Sequence, residues 1–85
     1  MTARETTALL STRDTLTPLI EAEIIEYTGK PYGFRFTKAV FLINSRVWHE
    51  FTILDGDNLR LFAYLDDRGT CHSVGEIEEA YTFTF

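Results

Sequence analysis

The stretch from Arg46 to Leu65, RVWHEFTILDGDNLRLFAYL, constrains the fold more than any other part of the chain. Two runs of β-branched and aromatic residues flank a cluster of Asp, Gly and Asn, the composition of a β-hairpin closed by a short loop. Strand side chains alternate between faces, so the pairing register decides which residues share a surface. With Ile53 opposite Leu59, the residues His49, Phe51 and Ile53 share a face with Leu59, Leu61, Ala63 and Leu65. That face is almost wholly apolar and is expected to meet a helix. A slip of one residue would bring Arg60 and Asp66 into it, which register rules disfavour. The opposite face carries Trp48, Glu50 and Thr52 beside Arg60, Phe62 and Tyr64. Trp48 then faces Tyr64 across the strands, and Thr52 faces Arg60.

The rest of the chain extends this pattern. FRFTKAVFLI upstream reads as a strand, as do TCHSV and AYTFTF downstream. DDRGT supplies a turn with Gly69 available for positive φ. GEIEE is a turn or a single helical turn, since Ser73 and Glu76 have capping-box spacing. Before the strands, TLTPLIEAEIIEYTGKP predicts a helix over residues 17–28. Thr17 suits an N-cap and Pro18 the first helical position. Leu16, Leu19, Ile20, Ile24 and Tyr27 form a stripe at helical spacing. Gly29 suits the C-terminal cap, and Pro31 prevents continuation. The competing reading is a strand over Ile20–Tyr27. Residues 1–11 are either a short helix, from the capping-box spacing of Thr2 and Glu5, or a loose tail. The expected architecture is α+β: an antiparallel β-meander of about four or five strands, with one amphipathic helix packed on one face, in a single domain over 1–85.

Composition narrows the classes of function. The chain has 85 residues, 45% hydrophobic and 14% aromatic, with one cysteine and a net charge of −5. Disorder is therefore not expected, and Cys71 alone cannot form an internal disulfide, which favours a reducing, cytoplasmic setting. The first residues carry no apolar run of the secretory type, and no stretch approaches 18 apolar residues, so no membrane association is expected. Residues 1–44 are charge-balanced. The whole excess lies in 45–85, where Arg46, Arg60 and Arg68 stand against eight acids. Such a chain is not drawn to nucleic acid, and a charged partner should be basic.

Few residues carry recognisable chemistry. DGDN resembles the start of a calcium loop, but Leu59 and Arg60 occupy the fifth and sixth positions, where an oxygen ligand and a Gly are required. A turn explains Asp55, Gly56, Asp57 and Asn58 directly. In a meander, this loop and the link after Val74 lie at one end of the sheet. That arrangement predicts an acidic cluster of Asp55, Asp57, Glu76, Glu78 and Glu79, suited to a basic protein patch, to a weakly held divalent ion or to plain solvation. Cys71 and His72 are adjacent on a strand, point to opposite faces and cannot form a dyad. His49, His72 and Cys71 lack zinc spacing. No catalytic residue, metal site or cofactor is expected.

The strongest signal is the aromatic face. Trp48, Phe62, Tyr64, Arg60 and Glu50 form the expected partner-binding surface, since Trp, Tyr and Arg are enriched at binding hot spots. A second layer covering that face is the structural alternative. The favoured function is a small acidic interaction protein of inhibitor, immunity or accessory type, by analogy of size and charge with phage or mobile-element proteins, binding a protein with a basic patch and doing no catalysis. One alternative is a ligand-binding or catalytic domain with a pocket near His49, His72 and Cys71. Another is a structural homo-oligomer, a dimer through the Tyr81–Phe85 strand, whose aromatic stripe suits strand pairing.

Overall fold

The computed structural model describes residues 2–54, 59–74 and 81–84. The chain opens with one long helix, α1 (Ala3–Thr28). Its start is set by Thr2, whose hydroxyl accepts from Glu5 N at 3.2 Å while the Glu5 carboxylate accepts from Thr2 N at 3.4 Å. This reciprocal box satisfies two of the backbone donors that every helix start leaves open. Six threonines along α1 donate their hydroxyls to the carbonyl one turn earlier, from Thr6 on Thr2 to Thr28 on Ile24. These bonds accommodate a residue type that is otherwise a middling helix former. The helix ends at Gly29, whose φ of 78° and N–H bond to the Ile25 carbonyl (2.7 Å) make a left-handed cap.

The N-cap is therefore Thr2, fifteen residues before the expected Thr17. Thr17 is not a cap; its hydroxyl bonds the Arg13 carbonyl at 2.9 Å. Pro18 lies inside the helix. Its ring has no N–H, so it interrupts the ladder at one point, and the turns on either side hold the helix together. Leu16, Ile20 and Ile24 are buried as the stripe predicts, but Tyr27 is exposed. The buried stripe instead extends backwards, to Arg13.

Five antiparallel strands follow: β1 (Phe34–Ile43), β2 (Arg46–Ile53), β3 (Arg60–Leu65), β4 (Cys71–Val74) and β5 (Tyr81–Thr84). The first four form a meander, and β5 returns to pair with the far side of β1, giving the order β4-β3-β2-β1-β5. Asn44 and Ser45, both at positive φ, make the two-residue turn between β1 and β2. At the β3–β4 turn, Asp66 Oδ1 accepts from Arg68 N (2.9 Å) and Thr70 N (2.8 Å), and Gly69 takes a φ of 80°. The β2–β3 register pairs His49 with Ala63, Phe51 with Leu61 and Thr52 with Arg60, as the alternation requires. β1 carries a bulge. Phe36 faces Phe51 and Val40 faces His49, so Thr37, Lys38 and Ala39 stand opposite the single residue Glu50.

The main core joins Leu16, Ile20 and Ile24 of α1 to Phe51, Ile53, Leu61 and Ala63, with Phe34 and Phe36 packed against it edge to face. Leu59, expected inside, is exposed, because it stands at the hairpin mouth before β3 begins. No helix in the described residues is long and apolar enough to cross a membrane.

Candidate functional site

The aromatic face is assembled as the register predicts but is not bare. Phe41, Trp48, Tyr64 and His72 follow one another across β1, β2, β3 and β4. Trp48 packs on Tyr64 with centroids 4.3 Å apart, and His72 stacks on Tyr64 at 4.8 Å with planes 14° apart. The Arg46 guanidinium lies 5.0 Å from the Tyr64 ring, and Phe41 meets Phe62 edge to face at 4.8 Å. Trp48, Phe62 and Tyr64 are consequently only 8%, 5% and 7% exposed, and Glu50 is buried as well. Of the five residues expected to bind a partner there, Arg60 alone is exposed. This corrects the expectation of an open hot spot: neighbouring side chains cover the rings, and the face forms a second hydrophobic cluster.

The open surface lies on the other side of the sheet. South of Arg13, toward its N-terminus, α1 presents Glu5, Ala8, Leu9 and Thr12 to the β1–β2 hairpin. Three of these four are small or polar, so the helix cannot fill the space above Leu42 and Val47, beside the buried Val40. A cleft of about 850 Å³ remains, walled by these residues and by Phe41, Tyr64 and Leu65. Leu42 and Val47, a cross-strand pair, are 38% and 41% exposed. Glu5, Asp66 and Asp67 line it as acids and Arg46 as the one described base. The interior is thus apolar and the charged lining predominantly negative.

His49 also lines this cleft and is 1% exposed. Arg13 holds it: Arg13 Nε donates to His49 Nδ1 at 3.0 Å. The same guanidinium donates from Nη1 to the Thr37 carbonyl and from Nη2 to the Ala39 carbonyl at 3.1 Å, and lies 4.7 Å from the Phe36 ring. Arg13 therefore supplies donors to two carbonyls within the β1 bulge. Burial, with Arg13 adding repulsion, pulls the His49 pKa down to about 4. Burial lowers that of Arg13 to about 10 against the opposing pull of Glu50. At neutral pH the arginine is charged and the imidazole neutral. Because Nδ1 accepts, the ring proton sits on Nε2.

The other chemically capable residues lie elsewhere. Cys71 packs at the edge of the helix-side core, and its thiol is pushed up to about 11 by burial and then by Glu23. It is a poor nucleophile there. His72, on the opposite face, sits 2.9 Å from Asp66 Oδ2. That contact first, then the backbone N–H groups of Thr70 and Arg68, hold Asp66 below the usual carboxylate range. The cleft thus contains His49 but neither Cys71 nor His72. Among the described residues no three His, Cys, Asp or Glu side chains gather as a metal shell. Asp55, Asp57, Glu76, Glu78 and Glu79, the expected acidic cluster, lie outside the described residues.

Reasoning from sequence missed Arg13. The signal was present, since Arg13, Leu16, Ile20 and Ile24 share one helical stripe, but an arginine three residues before a leucine usually reads as a surface charge. No family model matches the chain, and comparisons with curated proteins and with solved structures find no match.

Proposed function

We propose that the chain is a small acidic binding domain, without catalysis of its own, that takes an apolar segment of a basic partner protein into the cleft between α1 and the β1–β2 hairpin. The observation that carries this reading is the cleft itself: about 850 Å³ of mostly apolar surface lined by Glu5, Asp66 and Asp67 against Arg46. Concave apolar surfaces with a few polar groups are where binding energy concentrates. The negative lining and the net charge of −5 favour a cationic partner and disfavour nucleic acid. The aromatic face supports the site from behind, through Tyr64. A single half-buried cysteine fits a reducing, cytoplasmic setting.

Capture from lysate of the native host tests this with three baits: the wild-type chain, Leu42→Asp and Tyr27→Ser. Both replaced residues are exposed, so both variants should fold, which far-ultraviolet circular dichroism checks. The expected outcome is a partner retained by the wild type and Tyr27→Ser and lost with Leu42→Asp. Equal retention by all three would contradict the cleft as the contact surface. The place of β5 at an edge of the sheet favours a second reading, self-association by strand pairing. It requires a dimer by light scattering at micromolar concentration.

A further inference from the structure

We propose that His49 selects what the cleft accepts, with its Nε2–H as the hydrogen-bond donor to a carbonyl oxygen of the bound segment and Glu5, Asp66 and Asp67 receiving that segment's basic side chains. The inference rests on the cleft being the binding surface. Its starting point is the way Arg13 commits the imidazole. Arg13 Nε occupies Nδ1, and the guanidinium is itself anchored to the carbonyls of Thr37 and Ala39. The ring can therefore neither turn over nor change tautomer without breaking a buried network. What remains is one N–H, on Nε2, of a side chain that is 99% buried and lines the cleft, with no hydrogen-bond partner among the described residues.

A donor of this kind discriminates. An occupant that displaces water from the cleft and brings no acceptor leaves the Nε2–H desolvated and unpaired, whereas one that brings an acceptor does not. Three requirements then act together: an apolar side chain for the space over Leu42 and Val47, an acceptor for His49, and positive charge for the acids. A fatty acid meets the first two, but its carboxylate enters a lining of three acids and one arginine. A protein segment with a leucine-sized side chain, its own backbone carbonyl and a flanking lysine or arginine meets all three. Arg13 is a positioning residue in this scheme, since it acts through His49.

The test is a titration of the isotope-labelled full chain with three probes: a short capped peptide of alternating leucine and lysine, its leucine–glutamate counterpart, and decanoate. The Leu–Lys peptide is expected to shift the amides of Leu42 and Val47 and to move the His49 Nε2 resonance, with the Leu–Glu peptide silent. His49→Gln keeps an oxygen for Arg13 and an N–H for the cleft, and should bind within about twofold of wild type. His49→Met removes the donor and should bind about tenfold more weakly, the worth of one hydrogen bond. Shifts that map away from the cleft would overturn both the cleft and the role of His49. Shifts within the cleft that leave Nε2 unmoved, or a folded His49→Met that binds as wild type does, would overturn the role of His49 alone. Should His49→Met fail to fold, the wild-type Nε2 resonance decides. Tighter binding of decanoate in the cleft, or a second copy of the chain filling it, would overturn the assignment to a basic protein segment.

Discussion

At the scale of single residues, the molecule turns on one pair. Arg13 and His49 lie 36 positions apart in sequence and meet at 3.0 Å in the interior. Their pairing makes stability depend on pH with a definite sign. His49 in the folded chain titrates near 4, below the ordinary 6.5. The unfolded chain therefore takes up the proton first as pH falls, and stability declines between those two values. It is complete above about pH 6.5 and levels off below about pH 4, for a loss of about 3 kcal/mol. Arg13 is the charge that bears on His49, Glu50 acts on Arg13 in turn, and Glu5, Asp66, Asp67 and Arg46 share the cleft lining. Asp66 adds a second loss only below the ordinary carboxylate range, because its own pKa is lowered. Urea midpoints measured from neutral pH down to about pH 4 should fall steadily for the wild type. His49→Gln should flatten that slope, and an equal slope in both chains would contradict the assignment. The position of His49 was legible from the register. Its partner was not, because the bulge that recruits Arg13 follows from two residues of β1 having no counterpart in β2, and FRFTKAVFLI carries no mark of where that happens.

At the scale of elements, α1 departs furthest from its local signals. Pro18 reads naturally as the first residue of a helix, and a second start signal at Thr2 and Glu5 reads as a separate short helix or a tail. Both signals are real, but the first was overridden. Leu16, Ile20 and Ile24 need one continuous surface to cover Phe51 and Leu61, and Arg13 needs the turn before them to reach the bulge. Tertiary contacts of this kind outweigh a local preference. The interruption retains a cost, since Pro18 leaves the Asp14 carbonyl without the N–H that another residue would supply. Pro18 is exposed, so Pro18→Ala should restore the bond without touching the core. We expect a gain of about 1–3 kcal/mol and a higher melting temperature. An unchanged or lower melting temperature would show that the ring already fits the helix at no cost. Strand order was legible as far as the meander goes, because each turn from β1 to β4 carries its own residues. The return of β5 to β1 was not, since pairing with a distant strand leaves no trace in AYTFTF itself.

At the scale of the whole molecule, the two faces of the sheet are covered in the opposite way to what composition suggests. The aromatic face contains the residue types found in binding hot spots, but Trp48, Phe62 and Tyr64 pack together in one cluster and are closed off by Phe41, His72 and Arg46. The apolar face is only partly covered, because α1 builds the core with Leu16, Ile20 and Ile24, whereas nearer its start it offers Glu5, Ala8 and Thr12 with Leu9 as the single large apolar side chain. Hydrophobic pattern locates which residues share a face; it does not report whether a covering element is bulky enough to reach them. Part of the acidic excess then acquires a place, around an opening, in Asp66 and Asp67 with Glu5 beside them. The most direct test of this account is photo-crosslinking in host lysate, with benzoylphenylalanine placed at Leu42 in the cleft or at Arg60 on the aromatic face. Both positions are exposed. The account predicts a discrete crosslinked partner from position 42 and none from position 60; a crosslink from position 60 with none from position 42 would contradict it.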